Sequence, residues 1–241
     1  MNWILQDKTY GFGNFINLTP VIKWIYENTN KQVPVYFETD FIRKAYEGHS
    51  MIEVLDTKPS NPCIATSRIK CPDNSQADYE YIFKFYTGKD YTNDYKPFVH
   101  IAKEYPKAKN ESIAVLIIGS GSERQDYLDS KMIDRETVNL IRKHLYNCGY
   151  RVFFTGSEND YKRIMPILCK CEVGDIQKSL ALIEAADIVI GNDTGLIHAA
   201  GTMDKDMFVL WKDTEFPRCK NSGNSSTYIF DNYAEVINYS L

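Results

Sequence analysis

The stretch DIVIGNDTGLIHAAG, residues 187–201, decides the reading of this chain. An apolar strand (Ile188, Val189, Ile190) stops at Gly191, turns through Asn192 and Asp193, and restarts as a helix with Thr194 as its N-cap. The first turn of a helix leaves backbone N–H groups free at the positive end of the dipole. Such a turn is a seat for a phosphate or diphosphate. Gly195 allows a ligand to approach the backbone, and His198 lies about one helical turn further in, within reach of the same anion. On its own the stretch reads equally as an ordinary βα unit with a capping threonine, since doubly wound proteins contain many.

Outward from it, the second half of the chain alternates strand and helix. Strand 113–119 (IAVLIIG) leads through a long polar loop to a helix from Asp134 to Cys148, closed by Gly149. Strand 151–156 (RVFFTG) precedes a helix capped by Ser157, and helix 179–187 (SLALIEAAD) precedes the 187–201 unit. Strands 207–211 and 227–231 complete the set. The first half opens with a strand at 3–6 and a glycine-bearing loop (Tyr10 to Asn14). A helix is expected to begin at Thr19-Pro20, with Thr as cap and Pro in the first turn. Strand 33–39, helix 40–48 and strand 51–56 continue the alternation; strands at 62–67 and 80–86 and a helix at 97–105 are the weaker expectations. The charged run KAKNES, 107–112, has no apolar anchor. The domain boundary is placed there, giving 1–108 and 109–241. The expected fold is α/β, two Rossmann-like domains with parallel sheets facing one another across a cleft.

Composition narrows the function. The chain has 241 residues, 44% hydrophobic and 25% charged, with a net charge of −4, which carries no electrostatic footprint for nucleic acid. No apolar run approaches the ~18 residues that span a bilayer, and the amino terminus has no secretory pattern. Six scattered cysteines fit free thiols in a reducing, cytoplasmic compartment. Cys169-Lys170-Cys171 lacks a second pair, so no metal is expected. Tyrosines crowd 79–105 and read either as a sugar-stacking surface or as a small Tyr-rich core. Gly119-Ser120-Gly121 lacks the third glycine of a dinucleotide fingerprint, which makes a nicotinamide enzyme the weakest reading, and no cofactor is expected.

Five pieces in order resemble the lipopolysaccharide heptosyltransferase-like glycosyltransferases, family 9 of the GT-B fold. They are GFGNFINLTP (11–20), a strand ending in GSGSE (119–123), Lys131, VFFTGSENDYKRI (152–164), and SLALIEAADIVIGNDTGLIHAAGTMDKDMFVLW (179–211). The resemblance implies inverting, metal-independent transfer of a sugar from a nucleotide-diphosphate sugar to a glycan or lipid-linked saccharide. The leaving group would be stabilised by protein dipoles and cations. It implies a donor site of Gly13, Gly119, Ser120, Lys131, Gly156, Glu158, Asn192, Asp193, Thr194, Gly195 and His198, with Glu158 at the nucleoside and Asp193 ordering the turn or binding a sugar hydroxyl. Without the resemblance Lys131 reads as a solvated loop lysine, and Glu158 as a helix-dipole complement.

Two departures stand out. Many family members carry an aspartate just after the loop glycine, where this chain has Asn14, and an amide cannot take a proton from an acceptor hydroxyl. Asp40 or Glu38 would then serve as base, or Asn14 would only orient the acceptor, or the protein would bind a nucleotide sugar without transferring it. The chain is also short for two full domains, so the N-terminal one is expected to be reduced. Acceptor specificity is sought in 79–91, and donor specificity around Asp213, Thr214, Glu215 and Arg218.

Overall fold

The computed structural model describes residues 3–9, 11–60, 64–65, 77–119, 133–164, 170–210, 227–230 and 233–238. Contacts divide the chain into two compact units, Met1–Ala102 and Lys103–Leu241. The charged run 107–112 lies in the second unit. Lys107 donates to both carboxylate oxygens of Asp187 (2.7 and 2.8 Å), and Asp187 also accepts the Ile113 N–H (2.7 Å).

In the first unit the strands β1 (Ile4–Gln6), β2 (Val33–Phe37), β3 (Ile52–Leu55) and β4 (Ile64–Ala65) form a parallel sheet in the order β3-β2-β1-β4. Helices α1 (Phe12–Thr29), α2 (Asp40–Tyr46) and α3 (Asp78–Thr87) accompany it. Among the described residues the first sheet has four strands and the second six.

Helix α1 corrects the expected start at Thr19. It begins seven residues earlier, after Gly11, and runs through Pro20. Proline in a helix interior leaves the carbonyl four residues back without its N–H. Here that carbonyl is Ile16's, and the buried Thr19 hydroxyl donates to it at 2.7 Å. The same hydroxyl accepts the Phe98 N–H at 2.9 Å, and the Phe98 carbonyl accepts the Tyr46 hydroxyl at 3.0 Å. Residues 97–105 are therefore not the expected helix. The backbone of Phe98 bonds to side chains of α1 and α2 instead of to its own segment.

Residues 80–86 are likewise not a strand. They belong to α3, whose buried residues Tyr79, Ile82 and Phe83 follow helical spacing. Glu80 accepts the Ala77 N–H (3.2 Å), and Gly88 closes the helix at φ 69°. Tyr79 and Phe83 pack on Tyr91, and Phe83 on Tyr95, with ring centroids 4.9–5.9 Å apart. Within the aromatic run Tyr79 and Phe83 are thus core, whereas Phe85 is exposed.

The second unit contains β5 (Ile113–Ile117), α4 (Arg135–Asn147), β6 (Arg151–Gly156), α5 (Glu158–Ile164), β7 (Lys170–Val173), α6 (Ile176–Ala185), β8 (Ile188–Asn192), α7 (Gly195–Thr202), β9 (Asp206–Leu210), β10 (Thr227–Phe230) and α8 (Tyr233–Asn238). All its strand pairs are parallel, in the order β10-β9-β8-β5-β6-β7. Residues 113–118 and 188–192 are buried without alternation, as a parallel sheet covered on both faces requires. Ala114, Leu116, Phe154, Ile190 and Phe208 form one core with Val138, Ile141 and Leu145 of α4. Each Val, Leu, Ile or Phe side chain of this core removed from water contributes roughly 1.5–3 kcal/mol.

Helix ends follow local chemistry. Asp134 accepts the Thr137 N–H (2.9 Å) at the start of α4, and Gly149 takes φ 88° beyond its end. Helix α6 starts three residues before the expected Ser179, because Asp175 accepts the N–H groups of Gln177 and Lys178. Strand β7 was not anticipated: KCEV is only partly buried and carries two charges, so it has no apolar run.

Candidate functional site

The second sheet reverses its winding between β5 and β8. From β5 the chain proceeds to β6 and β7 on one side, then crosses to β8, β9 and β10 on the other. In an open α/β sheet, ligands bind outside the carboxyl ends of the strands at such a reversal. Here those ends are Gly119 after β5 and the turn 192–195 after β8.

Glycines set their spacing. Gly191 pairs with Ile117, and a Cβ on it would lie 2.1 Å from the Ile117 carbonyl oxygen. Strand β8 itself runs on through Asn192, one residue past the expected stop at Gly191. A Cβ on Gly119 would lie 1.9 Å from Cγ of Asp160, a residue only 3% exposed. Asp160 is held in turn by Ser157, whose N–H (3.2 Å) and hydroxyl (2.6 Å) donate to its carboxylate, while the hydroxyl accepts the Asp160 N–H (3.1 Å). Ser157 is the expected cap of α5. Asp160 was missed, although Ser-x-x-Asp before a helix resembles the signal of a capping box. Gly156 packs over the same carboxylate, its would-be Cβ 3.5 Å from Asp160 Oδ2.

At the turn, Thr194 occupies the N-cap of α7 with extended backbone (φ −140°, ψ 166°), as expected. Its hydroxyl makes no capping bond: Oγ1 is buried and has no hydrogen-bond partner among the described residues. Buried polar atoms ordinarily have partners, and an exception calls for an explanation. Asp193 and His198 meet, Oδ1 to Nε2, at 3.3 Å, both mostly shielded from solvent. The carboxylate of the turn therefore holds the imidazole of α7. Gly195 opens α7, and Asn192 is buried at the strand end. Glu158 is exposed on the first turn of α5, 4.0 Å from Lys162. Ser120, Lys131 and the loop Asp213, Thr214, Glu215 and Arg218 lie outside the described residues. No group of three His, Cys, Asp or Glu that could hold a metal ion occurs among the described residues.

In the first unit, Gly13 is buried and Asn14 half-buried in the opening turn of α1, where the Asn14 N–H donates to the Gly11 carbonyl (3.1 Å). The two nominated carboxylates both engage lysines. Glu38 accepts from Lys58 (2.5 Å) and from the Lys8 N–H (3.2 Å), and chiefly the Lys58 bond holds its pKa below the ordinary value. Asp40 is exposed and pairs with Lys44 at 2.7 Å.

Two doubly wound parallel sheets, each with a winding reversal, are the architecture of the GT-B glycosyltransferases, which use a nucleotide-sugar donor. Residues 81–238 match the model of glycosyltransferase family 9 (heptosyltransferase), and the chain belongs to that family. Among solved structures it is similar to the family 9 glycosyl transferase of Veillonella parvula DSM 2008, with a TM-score of 0.67 and 11% identity over 98% of this chain and 87% of that one. The ADP-heptose lps heptosyltransferase II of E. coli matches with a TM-score of 0.64 and 10% identity over 95% and 90% of the two chains. The E. coli heptosyltransferase WaaC, solved with ADP, matches with a TM-score of 0.59 and 13% identity over 93% and 94%. At these identities the structures attest the fold, and the family match carries the activity. No curated protein sequence matches the chain. No helix among the described residues is long and apolar enough to cross a membrane.

Proposed function

We propose that this glycosyltransferase moves a heptose-like sugar from an ADP-activated donor to a hydroxyl of a glycan or lipid-linked saccharide, with inversion and without a metal, in a cytoplasmic setting. The observation that carries the reading is the Thr194 hydroxyl, buried without a partner among the described residues at the N-terminus of α7. A diphosphate oxygen supplies the missing partner, and the Gly195 amide and the helix dipole add to the same charge. His198, oriented by Asp193, is a second donor on the same helix. Lys131 neutralises the leaving group, and Glu158 receives the nucleoside. Adenine is chosen because similar heptosyltransferases were solved with ADP or an ADP-heptose analogue.

Inversion follows from a single displacement: the acceptor oxygen bonds to the anomeric carbon from the face opposite the departing diphosphate, and the electron pair leaves with the diphosphate. A thermal-shift panel of ADP, GDP, UDP and CDP in EDTA tests the donor site. Ligand at 100 times Kd adds ~2.7 kcal/mol of stability, a shift of several degrees. A response to ADP in EDTA is expected, and silence to every diphosphate overturns the site. The second reading, a nucleotide-sugar binder without turnover, is favoured by Asn14 and by the short N-terminal half; release of ADP from a nucleotide sugar removes it.

A further inference from the structure

Within the second unit, β5 alone separates β6 from β8. The first turn of α5, which follows β6, and the turn 192–195, which follows β8, therefore leave the sheet about 10 Å apart, two strand spacings. One nucleoside diphosphate spans that distance. The turn after β8 continues a buried strand. Helix α5, which carries Glu158, has seven residues, too few to hold a helix by themselves, so its first turn needs an anchor.

Three glycines and two carboxylates supply it. Strands β5, β6 and β7 lie side by side, and a glycine stands at each carboxyl end: Gly119 two residues past β5, Gly156 as the last residue of β6, and Gly174 just after β7. A Cβ on Gly119 would lie 1.9 Å from Cγ of Asp160, and one on Gly156 would lie 3.5 Å from its Oδ2. On the other side, a Cβ on Gly174 would lie 3.5 Å from Oε1 of Glu158, and the Gly174 N–H donates to the Gly156 carbonyl at 3.4 Å. Residues two apart on a helix stand about 200° apart around its axis, which is why Asp160 meets the end of β5 and Glu158 that of β7. Asp160 is buried and Glu158 exposed. Burying a carboxylate has a desolvation cost, offset here by the N–H and hydroxyl of Ser157.

We propose that Asp160 is a positioning residue for nucleoside recognition. Seated in the space that Gly119 and Gly156 leave open, its carboxylate fixes the first turn of α5, and with it the direction from which Glu158 meets the nucleoside of the donor. Its effect on the donor passes through Glu158. The assignment rests on the donor reading above, in which Glu158 receives the nucleoside and the turn 192–195 the diphosphate.

The test is isothermal titration of the full chain in EDTA with ADP, or whichever nucleoside diphosphate the parent binds, and with inorganic pyrophosphate as the probe that lacks a nucleoside. Glu158→Ala is expected to raise the Kd for ADP about tenfold or more, the loss of one hydrogen bond to a charged group, and to leave that for pyrophosphate unchanged. Asp160→Ala is expected to do the same. In the double variant the losses should not add: removing Asp160 once Glu158 is gone should change the ADP Kd by less than about twofold, a coupling that two independent structural roles do not produce. Additive losses overturn the assignment and leave the donor site standing. So does an Asp160→Ala variant that binds ADP as the parent does, or one that loses ADP and pyrophosphate alike. If Asp160→Ala does not fold, Gly119→Ala takes its place in the cycle, because the added methyl displaces the same carboxylate and leaves Ser157 its partner; the same outcomes decide. Glu158→Ala with parental ADP affinity overturns the nucleoside role of Glu158 and this assignment together. Failure of the parent to bind any nucleoside diphosphate overturns the donor reading itself, and the assignment with it.

Discussion

Replacing Thr194 by valine is expected to move stability and donor binding in opposite directions. In the ligand-free protein the Thr194 hydroxyl is buried without a partner among the described residues and does not cap α7. A buried polar group left unsatisfied costs ~1–3 kcal/mol, while its replacement by an apolar group of the same shape is neutral or stabilising. Thr194 is partly exposed as a residue, so the lower end applies. Thr194→Val should raise stability by about 0.5–1 kcal/mol, a Tm increase of about 1–4 °C for a chain of this size. Binding of ADP loses one hydrogen bond to a charged oxygen, ~1.5–3 kcal/mol, which is a Kd raised about 10- to 150-fold. Thr194→Ser keeps the hydroxyl and should bind within about threefold of the parent. Differential scanning calorimetry without ligand and isothermal titration with ADP in EDTA read the two effects. A valine variant that loses more than about 1 kcal/mol of stability and keeps its ADP affinity would show that the hydroxyl is an ordinary helix cap, and would refute the reasoning.

Gly191→Ala places a methyl group 2.1 Å from the Ile117 carbonyl oxygen, a backbone atom of the paired strand, so β5 and β8 must part. We expect a loss of about 3 kcal/mol in urea denaturation together with weaker ADP binding; a loss under about 0.5 kcal/mol contradicts the close approach. Thr19→Val leaves the Ile16 carbonyl and the Phe98 N–H without their bonds and should cost about 2–3 kcal/mol. Adding Pro20→Ala restores an N–H for Ile16 and should recover about 1 kcal/mol, a non-additivity that a double-mutant cycle measures. His49 is half-buried against Phe98 and faces His100, and desolvation first, His100 second, pushes its pKa down from 6.5 to about 4. Since the folded pKa is the lower one, the unfolded chain takes the proton first. Stability is intact above pH 6.5 and falls as the pH drops through about 4. Discounted for its partial exposure, the loss is about 1–2 kcal/mol; His49→Asn keeps an acceptor for the Met51 N–H and should flatten the pH dependence of the denaturation midpoint over that window.

The elements that were legible are those whose causes are local. Residues 113–117 and 188–192 read as strands because burial on both faces demands unbroken apolar runs. Asp134, Ser157 and Gly149 read as helix ends because capping involves neighbours two to four residues away. The start of α1 was not legible. Thr19-Pro20 has the composition of a helix start, and what makes it an interior is a bond from Phe98, 79 residues distant. Residues 80–86 carry the β-branched and aromatic content of a strand, and only the burial of Tyr79, Ile82 and Phe83 on one side reveals a helix. At the site, the Asp-Thr-Gly turn was visible in the sequence, whereas the contact of Asp160 with Gly119 and the Glu38–Lys58 pair are tertiary and leave no local trace.

The uneven strength of the resemblance along the chain has a physical reason. A diphosphate is the same object in every donor of this class, and it must be met by backbone. Gly119 and Gly191 are positions where a single added carbon collides with a neighbour, so the donor half tolerates few alternatives there.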